Sequence, residues 1–308
     1  MRRGALICIG AILLTGCAAR KGAVTARAGE PDRLLRVLTL NLMQHSPIAG
    51  RGERFEKIAD FLEARAKAGE PVDVVALQEG CSGLVVGTAD SIADLGRQLE
   101  RRGLRYHRHS APQSGTPLFL LFRVGVLTSG PILYTDGRDL GGLTGNRMDD
   151  FPVPGRQHVV LAGMDYPIGR VNLLSAHLSS GGGADLHTRQ ARELLAFIEE
   201  MNGRHPADVT VLGGDMNTSP DTEAYRVLAG ELTDSYAAAK SDSPGYTWDV
   251  PGNPHRLGHQ GDPARIDFIF FRGEGVEVER SEVVFDKDDG WVSDHCGVLT
   301  TLRRTGRR

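Results

Sequence analysis

The side chains best able to do chemistry in this chain stand in separate segments, and nearly every one directly follows a short apolar run. Carboxylates and amides can hold a hard divalent cation, and a histidine beside a carboxylate can take a proton from water. Polar groups at the ends of several buried strands converge on one rim of a sheet, so we expect a single reaction site assembled from distant sequence. The candidates are Asn41, Glu79, His177, Asp215, Asn217, Asp267, Asp294 and His295.

Glu79 and Asn41 form the candidate metal group. A carboxylate at the end of an apolar strand is costly to bury unless it is paired or coordinated, and an amide beside it adds a neutral oxygen ligand. Asp294 is expected either to bind the metal or to help orient His295. Since no His/Cys cluster has zinc spacing, a hard cation is favoured, namely magnesium, or manganese in its place. Taken alone, Glu79 is equally well explained as a salt bridge at a strand end.

Asp215 and Asn217 lie two residues apart after a Gly-Gly pair. In an extended segment they would face the same side. The acid could then orient or deprotonate a nucleophile, while the amide donates to an oxygen that gains charge. An Asx turn is the alternative interpretation of the same residues.

His295 is the candidate general base, and it needs a carboxylate to fix its tautomer. Asp267 could supply that carboxylate. His177 is the candidate donor to a phosphoryl oxygen. The other histidines are interpreted as structural: His45, His107, His109, His158, His187, His205, His255 and His259.

The elements that must position these residues follow from apolar periodicity. Strands are predicted at Leu34–Leu42, Val72–Gln78, Arg105–His109, Pro117–Thr128, Pro131–Tyr134, Gln157–Met164, Arg170–His177, Val209–Leu212, Arg265–Phe271, Val276–Val284 and Cys296–Leu302. Helices are predicted at Gly52–Ala68, Ile92–Arg102, Asp185–Met201 and Thr222–Leu228.

Several neighbouring strands are expected to pair antiparallel, among them 117–128 with 131–134 and 157–164 with 170–177. The pattern predicts one mixed α/β domain at residues 33–304, with two packed sheets and helices outside. The Gly/Pro/Asp-rich segments 137–154 and 241–262 are predicted to be long surface loops, which commonly carry specificity.

Composition narrows the class of protein. The chain has 308 residues, 40% of them hydrophobic, which is enough for a substantial core. Its formal net charge of −3 gives no strong basic footprint. That balance weighs against extended, non-specific binding to a nucleic-acid backbone, while a short nucleic-acid substrate held by metal and a few arginines remains compatible with it.

The N-terminus carries an export signal. Arg2 and Arg3 precede an apolar run at 5–14 that is too short to span a bilayer of ~30 Å. The following Leu14-Thr15-Gly16-Cys17 resembles a bacterial lipobox. We therefore expect a signal peptide at 1–16, a lipidated Cys17 with a tether at 17–32, and a membrane-anchored protein of the cell envelope. Ala18 favours the outer membrane if the source is Gram-negative; an ordinary signal peptide is the alternative.

Two cysteines, Cys81 and Cys296, remain in the mature chain, each within two residues of a candidate acid. An exported protein can form disulfides, so a Cys81–Cys296 bridge is a hypothesis. Two buried free thiols are the favoured interpretation.

The ordered set of Asn41, Glu79, His177, Asp215-x-Asn217, Asp267 and Asp294-His295 resembles the endonuclease/exonuclease/phosphatase superfamily over about residues 35–303. That resemblance implies a four-layer α/β/β/α sandwich and water attack on a phosphorus ester. The implied roles are magnesium binding by Glu79 with Asn41, and nucleophile positioning and transition-state stabilisation by Asp215 and Asn217. The other implied roles are general base catalysis by His295, which Asp267 orients, and phosphate binding by His177. Asp294 would belong to the metal or base network.

The stretch Tyr246-Thr247-Trp248-Asp249 is similar to one shared by tyrosyl-DNA phosphodiesterases and some sphingomyelinases, in which this loop borders the pocket. Trp248 and Asp249 are therefore expected to line the substrate site. The predicted function is a magnesium-dependent phosphodiesterase or phosphatase, and a monomer is expected. Lipid headgroups and nucleotides or nucleic acid remain open as substrates. A non-catalytic envelope lipoprotein that binds phosphorylated ligands is the alternative from another class.

Overall fold

A computed structural model describes residues 33–43, 50–116, 118–141, 147–148, 151–152, 156–256 and 261–305. The predicted signal peptide, Cys17 and tether, as well as His45 and His259, lie outside these residues. None of the helices within them is long and apolar enough to cross a membrane.

Strands and helices alternate irregularly along the chain. The strands are β1 (Leu34–Asn41), β2 (Val74–Ser82), β3 (His107–Thr116), β4 (Leu120–Thr128), β5 (Tyr134–Leu140), β6 (Arg147–Met148), β7 (Phe151–Pro152), β8 (Gln157–Tyr166), β9 (Gly169–His177), β10 (Val209–Asp215), β11 (Thr233–Asp234), β12 (Asp267–Arg272), β13 (Val276–Val284) and β14 (Gly297–Arg304). The helices are α1 (Arg51–Lys67), α2 (Ser91–Arg101), α3 (Gly183–Arg204), α4 (Glu223–Ala229) and α5 (Ser235–Ala238).

Two mixed sheets of six strands each form the centre of the protein. The first has the order β13-β14-β1-β2-β4-β3 and the second β11-β12-β10-β9-β8-β5. β1 runs parallel to β2, and β9 runs parallel to β10. The remaining pairs within the two sheets are antiparallel. The expected pair of packed mixed sheets is thereby confirmed.

Three apolar clusters separate four layers. One cluster lies between the sheets and joins residues such as Val74 of β2 and Val211 of β10. A second packs α1 and α2 on the outer face of the first sheet. A third packs α3 and α4 on the outer face of the second. The arrangement is the α/β/β/α sandwich that the sequence predicts.

Strand pairing differs from expectation at one place. The predicted hairpin of β8 and β9 is confirmed, with Tyr166 opposite Gly169. The predicted pairing of 117–128 with 131–134 is wrong, because β4 pairs with β2 and β3 whereas β5 pairs with β8 in the other sheet. The connection between β4 and β5 therefore passes from one sheet to the other. Tyr166 holds it in place, because its hydroxyl donates to the Asp73 carbonyl at 2.9 Å and accepts from the Gly130 N–H at 2.9 Å.

The predicted loop 137–154 is also partly strand, since its first residues belong to β5 and it contains β6 and β7. Every residue of β5 before Leu140 is exposed or half-buried, and the strand lies at the edge of its sheet. Polar and charged residues are common on such an edge, because they discourage pairing with another chain. Because these residues interrupt the apolar pattern, the strand cannot be recognised from hydrophobic periodicity.

Gly213 of β10 packs closely against β1 and β2 of the first sheet. A Cβ there would come within 2.7 Å of the Ala76 Cβ and 3.2 Å of the Thr39 Cβ. We expect Gly213→Ala to lower the free energy of unfolding by about 1–3 kcal/mol through overpacking. Denaturant unfolding measures this.

Gly203→Ala is the matched control, because a Cβ at this α3 position meets nothing within 4 Å. That change should stabilise the protein by about 0.5–1 kcal/mol, since alanine restricts the unfolded chain and favours the helix. Equal effects of the two substitutions would contradict close sheet packing at Gly213.

Candidate functional site

The candidate residues meet at one end of the sandwich. β1 and β2 are parallel and end there with Asn41 and the residues after Gln78, and the parallel strands β9 and β10 end there with His177 and Asp215. β12 is antiparallel to β10 and begins at this rim, because Asp267 pairs with Asp215. The site is thus assembled from both sheets.

Asn41 joins the two acids across the sheets. Its Nδ2 donates to Glu79 Oε1 at 2.9 Å and to Asp215 Oδ2 at 3.0 Å. Its Oδ1 accepts from the Met43 backbone N–H at 2.9 Å. The amide nitrogen of Asn41 therefore points towards the two carboxylates. The expected role as a metal ligand would require the amide oxygen to point there instead.

A bulge in β2 directs Glu79 into the site. Leu77 pairs with Gly125 and Gly80 with Arg123, so Gln78 and Glu79 share a single partner position on β4. Glu79 has φ 54°, a left-handed conformation that is uncommon for a side chain of this kind. Such backbone strain persists where surrounding contacts hold it and is concentrated at functional sites.

Negative charge is crowded at this rim. Burial raises the pKa of Glu79, and the nearby Asp294 raises it further. Burial also raises the pKa of Asp215, with Asp267 adding to the effect. The Glu79 side chain retains 14% exposure, so this acid remains accessible from outside.

His177 lies between the two acids. Its Nε2 is 3.8 Å from Glu79 Oε1 and 3.5 Å from Asp215 Oδ2. Its Nδ1 is 3.3 Å from Gln113 Nε2. Burial, assisted by His295, lowers the pKa of His177 to about 3, so the ring is neutral near pH 7.

His295 and Asp267 form a buried pair. Nδ1 of His295 is 2.8 Å from Asp267 Oδ2, and its Nε2 is 3.8 Å from Asp215 Oδ2. Burial alone would lower the pKa of His295, but the carboxylates of Asp267 and Asp215 outweigh it and raise the pKa well above its usual value. Thr247 steadies Asp267, because its hydroxyl accepts from the Asp267 backbone N–H at 3.1 Å.

Asp215 closes an Asx turn, in which its Oδ1 accepts from the Asn217 backbone N–H at 2.9 Å. Asn217 has φ 44°, and its Nδ2 donates to the Leu178 carbonyl at 2.9 Å. The expected extended geometry is therefore wrong after Asp215. The turn still keeps Asn217 beside the acid at the rim.

Asp294 and the predicted substrate loop lie beside the pair. Ser293 donates to Asp294 Oδ1 at 3.1 Å. Trp248 forms isolated β-bridges to Ala264 and His295, so its backbone adjoins the candidate base. Asp249, 2% exposed, forms an ion pair with Arg256 within the same loop.

Sequence reasoning missed several residues that support the rim. Gln78 donates to Ser175 Oγ at 3.0 Å, which links the sheets just behind Glu79. Arg54 is buried in α1 and donates to the carbonyls of Leu42 at 2.8 Å and Val292 at 3.0 Å, beside the rim segments. Amphipathic periodicity treats an arginine in a helix as solvent-exposed, so the sequence held no signal for this one.

Cys81 and Cys296 are both buried free thiols, as favoured over the hypothetical bridge. Burial raises the pKa of Cys296. A buried thiol with a raised pKa is a poor nucleophile, so Cys296 is poorly suited to that role.

Two overlapping groups of side chains could hold a metal ion. Glu79, His177 and Asp215 form one group, and Asp215, Asp267 and His295 form the other. Within each group the ligand atoms lie within 4.8 Å of one another. Asp215 belongs to both, which makes it the centre of the site.

Comparison with known proteins supports the family resemblance seen in the sequence. The model of the Endonuclease/Exonuclease/phosphatase family matches residues 38–295. No curated protein shows a significant match to the chain.

Among solved structures, a family protein from Leptotrichia buccalis is similar with a TM-score of 0.65 and 21% identity, over 87% of this chain and 99% of that one. One from Beutenbergia cavernae has a TM-score of 0.63 and 23% identity, over 89% and 72%. D. rerio TDP2 complexed with single-strand DNA product has a TM-score of 0.64 and 20% identity, over 88% and 100%.

Proposed function

The chain belongs to the endonuclease/exonuclease/phosphatase family, and from that premise we propose that it hydrolyses phosphate esters with a divalent cation. The observation that carries the proposal is the connected arrangement at the rim. Asn41 bridges Glu79 and Asp215, while His295 lies between Asp215 and its buried partner Asp267. A base and a group of acidic ligands are thus held side by side.

The acidic residues fit a hard cation. Glu79 and Asp215 have raised pKa values because they are buried near further acids, and a cation would relieve that crowding. Oxygen donors of this kind suit magnesium, or manganese in its place. We propose that Glu79 holds the cation with help from Asp294, while Asn41 fixes Glu79. When bound, the cation would polarise the phosphoryl oxygen and neutralise developing charge.

The protein's own groups would handle the water and its proton. When His295 is deprotonated, Asp267 would accept from its Nδ1–H, which would leave Nε2 free to take a proton from water beside Asp215. Neutral His177 would donate to a phosphoryl oxygen, and Asn217 would support the charged transition state with its amide. Asp215, fixed by Asn41 and the Asx turn, would hold the water in line with the ester.

The substrate is a phosphate ester, as a diester or a monoester. The near-balanced charge supports a small ester, a nucleotide or a lipid headgroup over a long nucleic acid. Trp248 and Asp249 are proposed to border the substrate, because their loop adjoins His295. The lipobox-like segment supports export and anchoring to the cell envelope through Cys17, with the outer membrane favoured in a Gram-negative source; we propose that the protein is a monomer.

Hydrolysis of chromogenic esters tests the proposal. Protein lacking residues 1–17 is given a phosphodiester and a phosphomonoester, with magnesium or with a chelator. Turnover that the chelator abolishes is expected, and the preferred ester distinguishes diesterase from phosphatase. A folded protein that leaves both model esters and panels of lipid and nucleotide esters intact would contradict the proposal.

A further inference from the structure

A bulge in β3 buries two consecutive polar side chains, Gln113 and Ser114. Pro112 and Gly115 pair with residues two apart on β4, so Gln113 and Ser114 share a single partner position. Gln113 is 8% exposed and Ser114 2%, although much of β3 is exposed or half-buried. Gln113 reaches across to His177 of the other sheet.

The contact between Gln113 and His177 admits two hydrogen-bond arrangements. A neutral imidazole has one N–H donor and one bare acceptor nitrogen. If the Gln113 amide nitrogen faces Nδ1, Nδ1 accepts and the ring proton is on Nε2. If the amide is reversed, Nδ1 carries the proton and Nε2 is bare. The orientation of the amide and the tautomer of the ring therefore determine each other.

The surroundings of Nε2 select the first arrangement. Nε2 lies 3.8 Å from Glu79 Oε1 and 3.5 Å from Asp215 Oδ2. When both carboxyl groups are ionised, as in the magnesium-loaded protein, a bare nitrogen lone pair facing their oxygens would be repelled, whereas an N–H is attracted to them. Nδ1 is then the acceptor, and the Gln113 amide nitrogen, 3.3 Å away, is its donor.

This arrangement has a cost for folding. Gln113 Oε1 is buried and has no hydrogen-bond partner among the described residues. Burying an amide oxygen without a partner destabilises a fold. Packing alone would therefore favour an apolar residue of the same size, and the glutamine is better explained by what its nitrogen does.

We propose that Gln113 is a positioning residue that holds His177 with its ring proton on Nε2. In that tautomer His177 can donate to a phosphoryl oxygen and offers no lone pair to the metal. This inference rests on the proposed phosphoesterase function and gives His177 a donor role within it.

Kinetics of Gln113→Glu test this role. The isosteric carboxylate accepts from Nδ1–H and so draws the ring proton away from Nε2. We expect kcat to fall about 10-fold or more, as when a transition-state donor is weakened, with KM changed less. Added to His177→Ala, the same substitution should cause no further loss, because it acts through that ring. A full additional loss in the double variant would overturn the proposal.

A spectroscopic measurement is independent of turnover. Long-range ¹H–¹⁵N NMR of the magnesium-loaded protein distinguishes the two tautomers, and we expect the His177 proton on Nε2 in the wild type and on Nδ1 in Gln113→Glu. A wild-type proton on Nδ1 would overturn the inference. The expected spectra without phosphoesterase turnover would refute the proposed function alone.

Gln113→Met separates positioning from folding. It removes the partnerless oxygen but also the donor to His177 Nδ1, so the two effects oppose each other and the unfolding temperature should stay near that of the wild type while kcat falls. Ser114→Ala changes the neighbouring buried residue of the same bulge and should leave kcat within about twofold, as expected away from the contact. An equal loss of kcat in both variants would show that the bulge acts only as scaffold.

Discussion

Replacing His295 by alanine is expected to lower kcat for ester hydrolysis by about 10²- to 10⁴-fold, the usual contribution of a positioned general base. Its Nε2 lies 3.8 Å from Asp215 and its Nδ1 is held by Asp267. His177 also lies near a buried carboxylate, but the Asp215 oxygen is 3.5 Å from its ring, compared with 2.8 Å between His295 and Asp267. Steady-state kinetics in saturating magnesium measures the loss, and unchanged turnover would remove His295 from the mechanism.

Asp267→Asn refines this prediction through pH. The carboxylate of Asp267 helps to raise the pKa of His295, and a base works only when deprotonated, so wild-type activity should rise with pH through that pKa. Removing the charge lowers the pKa. The rising limb of the pH–rate profile should therefore move to lower pH, while the maximal rate falls because the ring loses the charged acceptor that fixes its tautomer. His205→Ala is the control, because His205 ends α3 and stacks on Tyr134, just before the start of β10 and so at the far end of that strand from Asp215.

Glu79→Gln is expected to weaken magnesium binding by about 10- to 100-fold or more and to lower turnover with it. The substitution keeps the size of the side chain and removes one of the crowded charges. The readout is the rise in unfolding temperature during a magnesium titration, which should be large for the wild type and small for the variant. Glu231→Gln removes the same charge at an exposed position and should behave like the wild type.

The metal-free proteins should show the opposite order of stability. The pKa of Glu79 is raised in the fold, so the fold binds this proton more tightly than the unfolded chain does. Stability is then lost as pH rises from about 4.3 towards the raised pKa. Glu79→Gln removes that loss and should be the more stable protein at pH 7 without metal. A less stable metal-free variant would indicate that Glu79 is a structural salt bridge.

Strand ends made much of the site predictable. Asn41, Glu79, His177 and Asp215 each follow an apolar run, and parallel neighbours end at the same edge. Asp267 could be added because an antiparallel strand begins where its partner ends. The side chains therefore had to meet once two sheets packed face to face.

The parts that could not be predicted depend on departures from regular structure. In a regular strand the side chains of Gln78 and Glu79 would point to opposite faces of the sheet, but the bulge keeps both side chains inside the protein. Gln113 lies in an edge strand without apolar alternation, and its role depends on a contact with the other sheet. The sequence after Asp215 is compatible with an Asx turn and with an extended segment, and the Asn217 backbone N–H decides for the turn by donating to Asp215.

The bulges of β2 and β3 also determine how the protein responds to short deletions in its gene. Each adds one residue ahead of the rim segment of its strand, at Gln78–Glu79 and at Gln113–Ser114. Losing one residue there would leave the upstream segment registered as before, yet would rotate the downstream segment by half a strand period. Single-codon deletions at these points are therefore expected to yield folded, inactive proteins, so the active rim can be lost in one genetic step while the sandwich survives.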